Sequence, residues 1–291
     1  MTNGSEGRSD VHPQTTAEQQ QVDLLAVAPW CALFFLFATW ELLAFLANVP
    51  EFVLPRPSRI LQAAWVWRDP LLSNAMQTLY SSLLGFFMAV GIGLVFGVVV
   101  GASKSAYHIL YPLLVGFNSI PKIALVPVLV LWFGIGTVPA VITAFLIAFF
   151  PIAVNVATGI ATTEPELRDV LRALGARPLD VLIKVSLPRS MPYFFASLKV
   201  AISMALVGSI MSETVASNSG IGHLMIVASS KFDVPLVFAG LLASALLGVG
   251  MYMVANIFER RMCGWAVHRV EAPTRWPCAP RRAWSAPTPS S

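Results

Sequence analysis

Charge is what this chain has least of. Asp, Glu, Lys and Arg make up 12% of its 291 residues, about half the share usual in soluble domains. Hydrophobic residues make up 56%, and mean hydropathy is +0.72. That balance excludes an ordinary soluble domain and implies a polytopic membrane protein. Cysteine is also scarce. Cys31, Cys263 and Cys278 are scattered and odd in number, which leaves no disulfide framework and no metal-binding spacing. The four histidines lie outside every long apolar run, and no paired aspartates lie within one. The sequence therefore lacks the catalytic set of an intramembrane enzyme. Gly101-Ala-Ser-Lys104-Ser lacks the Gly-x4-Gly-Lys pattern of a phosphate-binding loop. The net charge of +4 is modest, so the basic residues read as topology signals rather than as a nucleic-acid surface.

Long apolar runs are what the chain has instead. A spanning helix needs about 20 largely apolar residues, and six segments qualify: 24–47, 78–101, 109–133 (broken by Pro121 and Pro127), 138–161, 192–215 and 236–258. The expected fold is an all-α membrane protein of six transmembrane helices over residues 23–268. The polar residues 1–22 and the Pro-, Arg- and Ser-rich residues 269–291 read as disordered tails. The first run exceeds a signal-peptide core, and no clear Ala-x-Ala site follows it, so it reads as a retained span.

Placing the N-terminus inside puts Arg8, Lys104, Arg168, Arg172, Arg177, Lys184, Arg189, Arg260, Arg261, Arg269, Arg275, Arg281 and Arg282 in cytoplasmic segments. Only Arg56, Arg59, Arg68 and Lys231 then fall outside. This asymmetry predicts cytoplasmic termini.

Within the runs, a few residues do not belong in lipid. Gly93, Gly97 and Gly101 share one helix face and predict close packing, either within the chain or across a dimer seam. Asn118 and Lys122 lie beside Pro121 in the third run. An intramembrane ammonium marks a pathway residue that attracts an anion, unless it snorkels or pairs with a carboxylate. Glu213, followed by Asn218 and Gly220-Ile-Gly222, reads either as a structural group bonded to a backbone turn or as part of the pathway's outer mouth. Glu41 predicts a structural partner. Ser58 is a candidate cap for a short interfacial helix through Trp65 and Trp67.

The one long polar interruption runs from Glu164 to Pro192 and holds five of the 19 Lys/Arg. Pro165 and Glu166 suit a helix start. Leu167, Val170, Leu171 and Leu174 recur at helical spacing, Arg168 and Arg172 take another face, and Gly175 is placed as a helix terminator. Pro178 is placed to open a second short helix, with Leu187-Pro188 closing it. The expectation over 163–191 is a helix–turn–helix whose apolar stripe inserts into a groove on a partner.

These residues resemble the "EAA" loop of permease subunits of binding-protein-dependent ABC importers, which reads Glu-Ala-Ala, three residues, Gly, nine residues, Ile-x-Leu-Pro. Here Gly175 is followed by nine residues and then Val185-Ser-Leu187-Pro188, and Asp169-Val170-Leu171 stands at the triplet. Trp40-Glu-Leu-Leu43, Leu54-Pro-Arg-Pro57, Pro121-Lys-Ile-Ala-Leu-Val-Pro127 with Leu131-Trp-Phe-Gly134, and Glu213 through Gly222 extend the resemblance toward the nitrate/sulfonate/taurine-type group. Lys231 through Ala239 is more similar to relatives assigned to hydroxymethylpyrimidine, riboflavin or aromatic acids.

The resemblance implies a multi-pass permease of the bacterial inner membrane, a homodimer, with no cofactor and no ATPase activity of its own. It implies two copies of a cytoplasmic ATPase subunit docked on the loop and an extracytoplasmic substrate-binding protein. Asp169, Val170, Leu171, Arg168, Arg172, Gly175, Leu187 and Pro188 would carry coupling, and Asn118, Lys122, Glu213 and Asn218 would line the pathway. A non-transporting scaffold is the rival, and it predicts tolerance of changes in the loop.

Overall fold

The computed structural model describes residues 14–262. Residues 1–13 and the tail expected over 269–291 lie outside the described residues, as do Cys263 and Cys278. The described residues form helices and turns only: α1 Gln14–Leu46, α2 Pro57–Val66, α3 Arg68–Ala102, α4 Lys104–Asn118, a 3-10 turn Lys122–Leu125, α5 Val126–Phe133, α6 Thr137–Ala161, α7 Pro165–Ala173, α8 Pro178–Val181, a π turn Leu182–Ser186, α9 Leu187–Ala216, α10 Ile221–Ser230 and α11 Val234–Met262. α1 starts at Gln14, inside the segment expected to be disordered. Gln and Glu are good helix formers and extend a helix already nucleated by the apolar run.

Four described helices are long and apolar enough to cross a bilayer: Arg68–Ala102, Thr137–Ala161, Pro178–Ala216 and Val234–Arg261. α4 and the 3-10 turn with α5 are bent by 75° and make a fifth when taken as one broken span. The described apolar part of α1, Cys31–Leu46, is shorter. The break in the third run falls at Ser119–Pro121, before the 3-10 turn. Pro127 does not break the chain. It sits in the first turn of α5, where its missing N–H costs nothing.

The chain divides into two compact units. The first comprises Met1–Ser82, Ile123–Thr143 and Leu206–Gly248. Its apolar core is built on Ile60, Leu71, Ala228, Leu236 and Ala239, with Trp40 and Phe238 packed against it. The entry to α2 is fixed by Glu41 rather than by Ser58. The N-cap is Arg56, with Pro57 in the first turn. Ser58 donates both its N–H (3.0 Å) and its hydroxyl (2.8 Å) to the Glu41 carboxylate. The structural partner expected for Glu41 is thus Ser58.

The second unit comprises Leu83–Lys122, Ala144–Ala205 and Val249–Ser291. Here the three glycines of α3 meet α6. A Cβ on Gly93 would touch Ile152, one on Gly97 would press on Val156, and one on Gly101 would press on Ile160. The glycine face therefore serves packing within the chain, the first of the two expectations. The three contacts advance together along both helices, so α3 and α6 run parallel. The chain between them, α4 and α5, has to come back, which is the return a broken span provides. Lys199 on α9 pairs with Glu259 on α11 at 2.6 Å, both largely buried. That pairing answers the charge of the lysine inside the fifth run.

Candidate functional site

The helix expected after Glu164 is α7, and Gly175 ends it. Its φ of +81° is left-handed, a conformation that costs an L-residue about 1–2 kcal/mol. The Ala176 N–H donates back to the Leu171 carbonyl at 3.0 Å, closing a Schellman turn. Leu171, Leu174, Ala176, Val181 and Val185 then line a cleft of about 300 Å³.

The apolar stripe divides in two. Leu167 and Leu171 are half-buried, whereas Val170 is 57% and Leu174 78% exposed. Leu179 and Ile183 are exposed beyond the turn. Among the described residues nothing covers these exposed apolar side chains, which is the arrangement a docking element needs. Asp169 is exposed. Of Arg168 and Arg172 only the backbone, in α7, is described. Lys184 pairs with Asp180 at 3.0 Å, and Arg189 with Glu164 at 3.2 Å.

The second helix does not close at Leu187-Pro188, which corrects the expected helix–turn–helix. α8 passes through the π turn directly into α9, giving one helical run from Pro178 to Ala216. The Leu187 N–H reaches back five residues to the Leu182 carbonyl. That widened turn makes room for Pro188, whose ring would clash with the carbonyl four residues earlier in a regular helix. Leu187 and Pro188 form the first turn of α9, and its face packs on α6, where Ser190 meets Gly159.

Asn118 and Lys122 come together at the bend. The Lys122 ammonium donates to the Asn118 backbone carbonyl and to its side-chain oxygen, so it caps the negative end of α4. Among the described residues it reaches no carboxylate.

Glu213 lies elsewhere, in the first unit, and is 2% exposed. It accepts hydrogen bonds from Thr78 Oγ1 (2.7 Å), Ser81 Oγ (3.2 Å), Ser209 Oγ (3.1 Å) and the Gly222 N–H (3.2 Å). The Gly220 and Ile221 N–H groups donate to Asn74 Oδ1 and Thr78 Oγ1 at 2.7 and 2.8 Å. The orphan donors at the start of α10 are thus met by α3 and α9. Glu213 is bonded to a backbone turn, and Asn218 is exposed in that turn. Sequence reasoning missed Asn74, Thr78, Ser81 and Ser209. The available signal was their spacing: Asn74, Thr78 and Ser81 share a face of α3, and Ser209 precedes Glu213 by one turn.

Residues 82–263 match the family model described as "Binding-protein-dependent transport system inner membrane component". The chain belongs to that family. A "Probable ABC transporter permease protein" of Haemophilus influenzae is 30% identical, covering 80% of this chain and 92% of the relative. An aliphatic sulfonates permease of Bacillus subtilis is 28% identical over 79% of this chain and 84% of the relative, and a riboflavin permease of Chloroflexus aurantiacus is 31% identical over 80% and 88%. Among solved structures, the MetNI methionine ABC transporter in inward-facing form aligns at a TM-score of 0.57 and 20% identity, over 67% of this chain and 96% of that one. At that identity it shows a shared fold. The chain is therefore an ABC transporter permease with several apolar membrane helices.

Proposed function

We propose that this permease forms the translocation pathway of an ATP-driven importer. It crosses the inner membrane six times, with α1 as the first span and both termini cytoplasmic. It pairs with a second copy of itself and receives solute from an extracytoplasmic binding protein. Two copies of a separate ATPase subunit hydrolyse ATP.

The observation that carries this reading is the apolar edge of Val170, Leu174, Leu179 and Ile183, exposed around a Schellman turn at Gly175. α7 fits a groove on the ATPase, and the unbroken helix from Pro178 to Ala216 carries its movement into the fifth span. Differential contact with two states of the ATPase would then bias the pathway between its openings. Asp169, Arg168 and Arg172 orient the docking element by charge.

For the pathway, Asn118 and Lys122 at the bend are the residues best placed. An ammonium has three donors. Asn118 takes two and one remains for an anion, which favours a small sulfonate-, taurine- or nitrate-like substrate. Glu213 and Asn218 contribute at the clasp of α10, Glu213 by holding it. A second reading, a riboflavin, pyrimidine or aromatic-acid substrate, has specific support in relatives named for riboflavin and formylaminopyrimidine transport. Ligand binding by the associated binding protein decides between the two.

Leu174→Asp tests the coupling role. Its side chain is 78% exposed, so the fold should tolerate the change. Co-purification of the ATPase and ATP-dependent uptake should both fall at least tenfold, the scale of losing one well-buried interface anchor. Unchanged complex formation and uptake would overturn the docking assignment.

A further inference from the structure

The stretch from Lys231 to Ala239 carries part of the family resemblance, and neither the coupling loop nor the pathway uses it. It opens on the turn from α10 to α11. Ser229, Ser230, Lys231 and Phe232 are consecutive exposed residues there, and Phe232 is 80% exposed. The Phe232 backbone is left-handed, with φ of +59°. Among the described residues the other non-glycine with positive φ is Asn48, a residue type that enters this region readily. A phenylalanine does not.

Hydrogen bonds on both sides hold that conformation. The Asp233 N–H donates to the Ala228 carbonyl and the Phe232 N–H to the Ser229 carbonyl, both at 3.0 Å. The pair closes a Schellman turn, and Phe232 stands at the position after the helix cap, where glycine is usual. Asp233 then caps α11, its Oδ1 accepting from the Leu236 N–H at 3.2 Å. Glycine would make the same turn without the conformational cost. The ring is exposed, so its packing within this chain does not offset that cost. A backbone outlier held in place beneath an exposed aromatic ring points to a contact outside the chain.

Position decides between lipid and protein as that contact. Arg260 and Arg261, in the last turn of α11, are exposed, so the hydrocarbon ends before them. A span of about 20 residues counted back from them begins near Gly240. The start of α11 at Val234 then stands about 9 Å further out, beyond a headgroup layer of about 5–7 Å. The turn before it is in water. Lys231, next to the ring, is exposed and has no ion pair among the described residues.

We propose that Phe232 and Lys231 form a docking knob for the extracytoplasmic binding protein, the ring entering an apolar socket and the ammonium meeting a carboxylate at its rim. This rests on the importer reading above, which puts the C-terminus inside and so this end of α11 outside. Members of the family depend on a binding protein, which supplies the occupant for this face. A ring with two rotatable angles on a fixed turn loses little entropy on docking.

The test uses the permease–ATPase complex in nanodiscs with its purified binding protein. ATP hydrolysis is followed as binding protein is added. Phe232→Gly should keep or raise the thermal unfolding midpoint, yet raise the half-saturating concentration of binding protein about tenfold, the scale of losing an interface anchor. Phe232→Tyr keeps the ring and should saturate like the unchanged complex. Lys231→Glu should also weaken saturation, more at low salt than at high. With p-benzoylphenylalanine at position 232, illumination should cross-link the permease to the binding protein. Unchanged half-saturation in Phe232→Gly, or cross-links confined to lipid or to a second permease copy, would overturn the proposal. If the binding protein does not stimulate hydrolysis by the unchanged complex, the importer reading itself fails, and this surface with it.

Discussion

Gly175 and Gly220 adopt the same kind of left-handed backbone, with φ of +81° and +104°, for opposite reasons. Around Gly175 there is open space, and a Cβ there would touch nothing within 4 Å. Around Gly220 a Cβ would fall on the Glu213 carboxyl group. The first glycine turns the chain so that apolar side chains face outward. The second lets a buried carboxylate approach the backbone and satisfy it. One region is open at its surface, while the other is closed on itself. An element that has to move with a partner keeps few internal bonds. An element that holds a helix start without water needs every donor met.

Breaking the closed region should have the largest effect. Glu213→Ala removes the acceptor for three hydroxyls and one N–H in a buried site, a loss of about 3–5 kcal/mol. The measurement is thermal stability of the purified permease. A shift no larger than that of an exposed substitution would show that α10 is held by other contacts.

The paired glycine substitutions sharpen the comparison. Gly220→Ala combines a disfavoured φ with steric overlap on Glu213 and should cost about 3 kcal/mol or more. Gly175→Ala carries only the conformational term, about 1 kcal/mol. Equal losses at the two positions would contradict the distinction between them. The smallest effect is expected at the open region's surface ion pair. Glu164→Gln, opposite Arg189, should change stability by less than about 0.5 kcal/mol, again read from thermal unfolding.

Much of this was legible in the sequence, and the exceptions have physical causes. The apolar runs locate α3, α6, α9 and α11 because a helix in lipid must be apolar over its whole circumference. α3 nonetheless starts at Arg68, ten residues before its expected first residue Thr78. Its polar first turns, including Asn74, are used by the clasp. The stripe on α7 was readable from its spacing, but spacing does not say which apolar residues face inward. Leu171 and Leu174 differ by burial, not by pattern. Leu187-Pro188 reads as a stop because proline ends a regular helix, whereas here one π turn absorbs it. The bonds from Lys122 to Asn118, which cap α4, were not legible, because spacing does not say where the chain bends.

The sequence by itself determined that the chain lives in a membrane, which glycine face α3 packs by, and where a polar segment interrupts the apolar runs. These are properties of composition and local period, and they hold whatever the neighbours are. Only the tertiary structure decided which groups Glu41, Lys199 and Glu213 meet. A charge in an apolar run is a cost that sequence can count, but the group that offsets it comes from another helix. Ser58 lies 17 positions from Glu41, and Thr78 lies 135 from Glu213. No local pattern connects such pairs, so only folding brings them together.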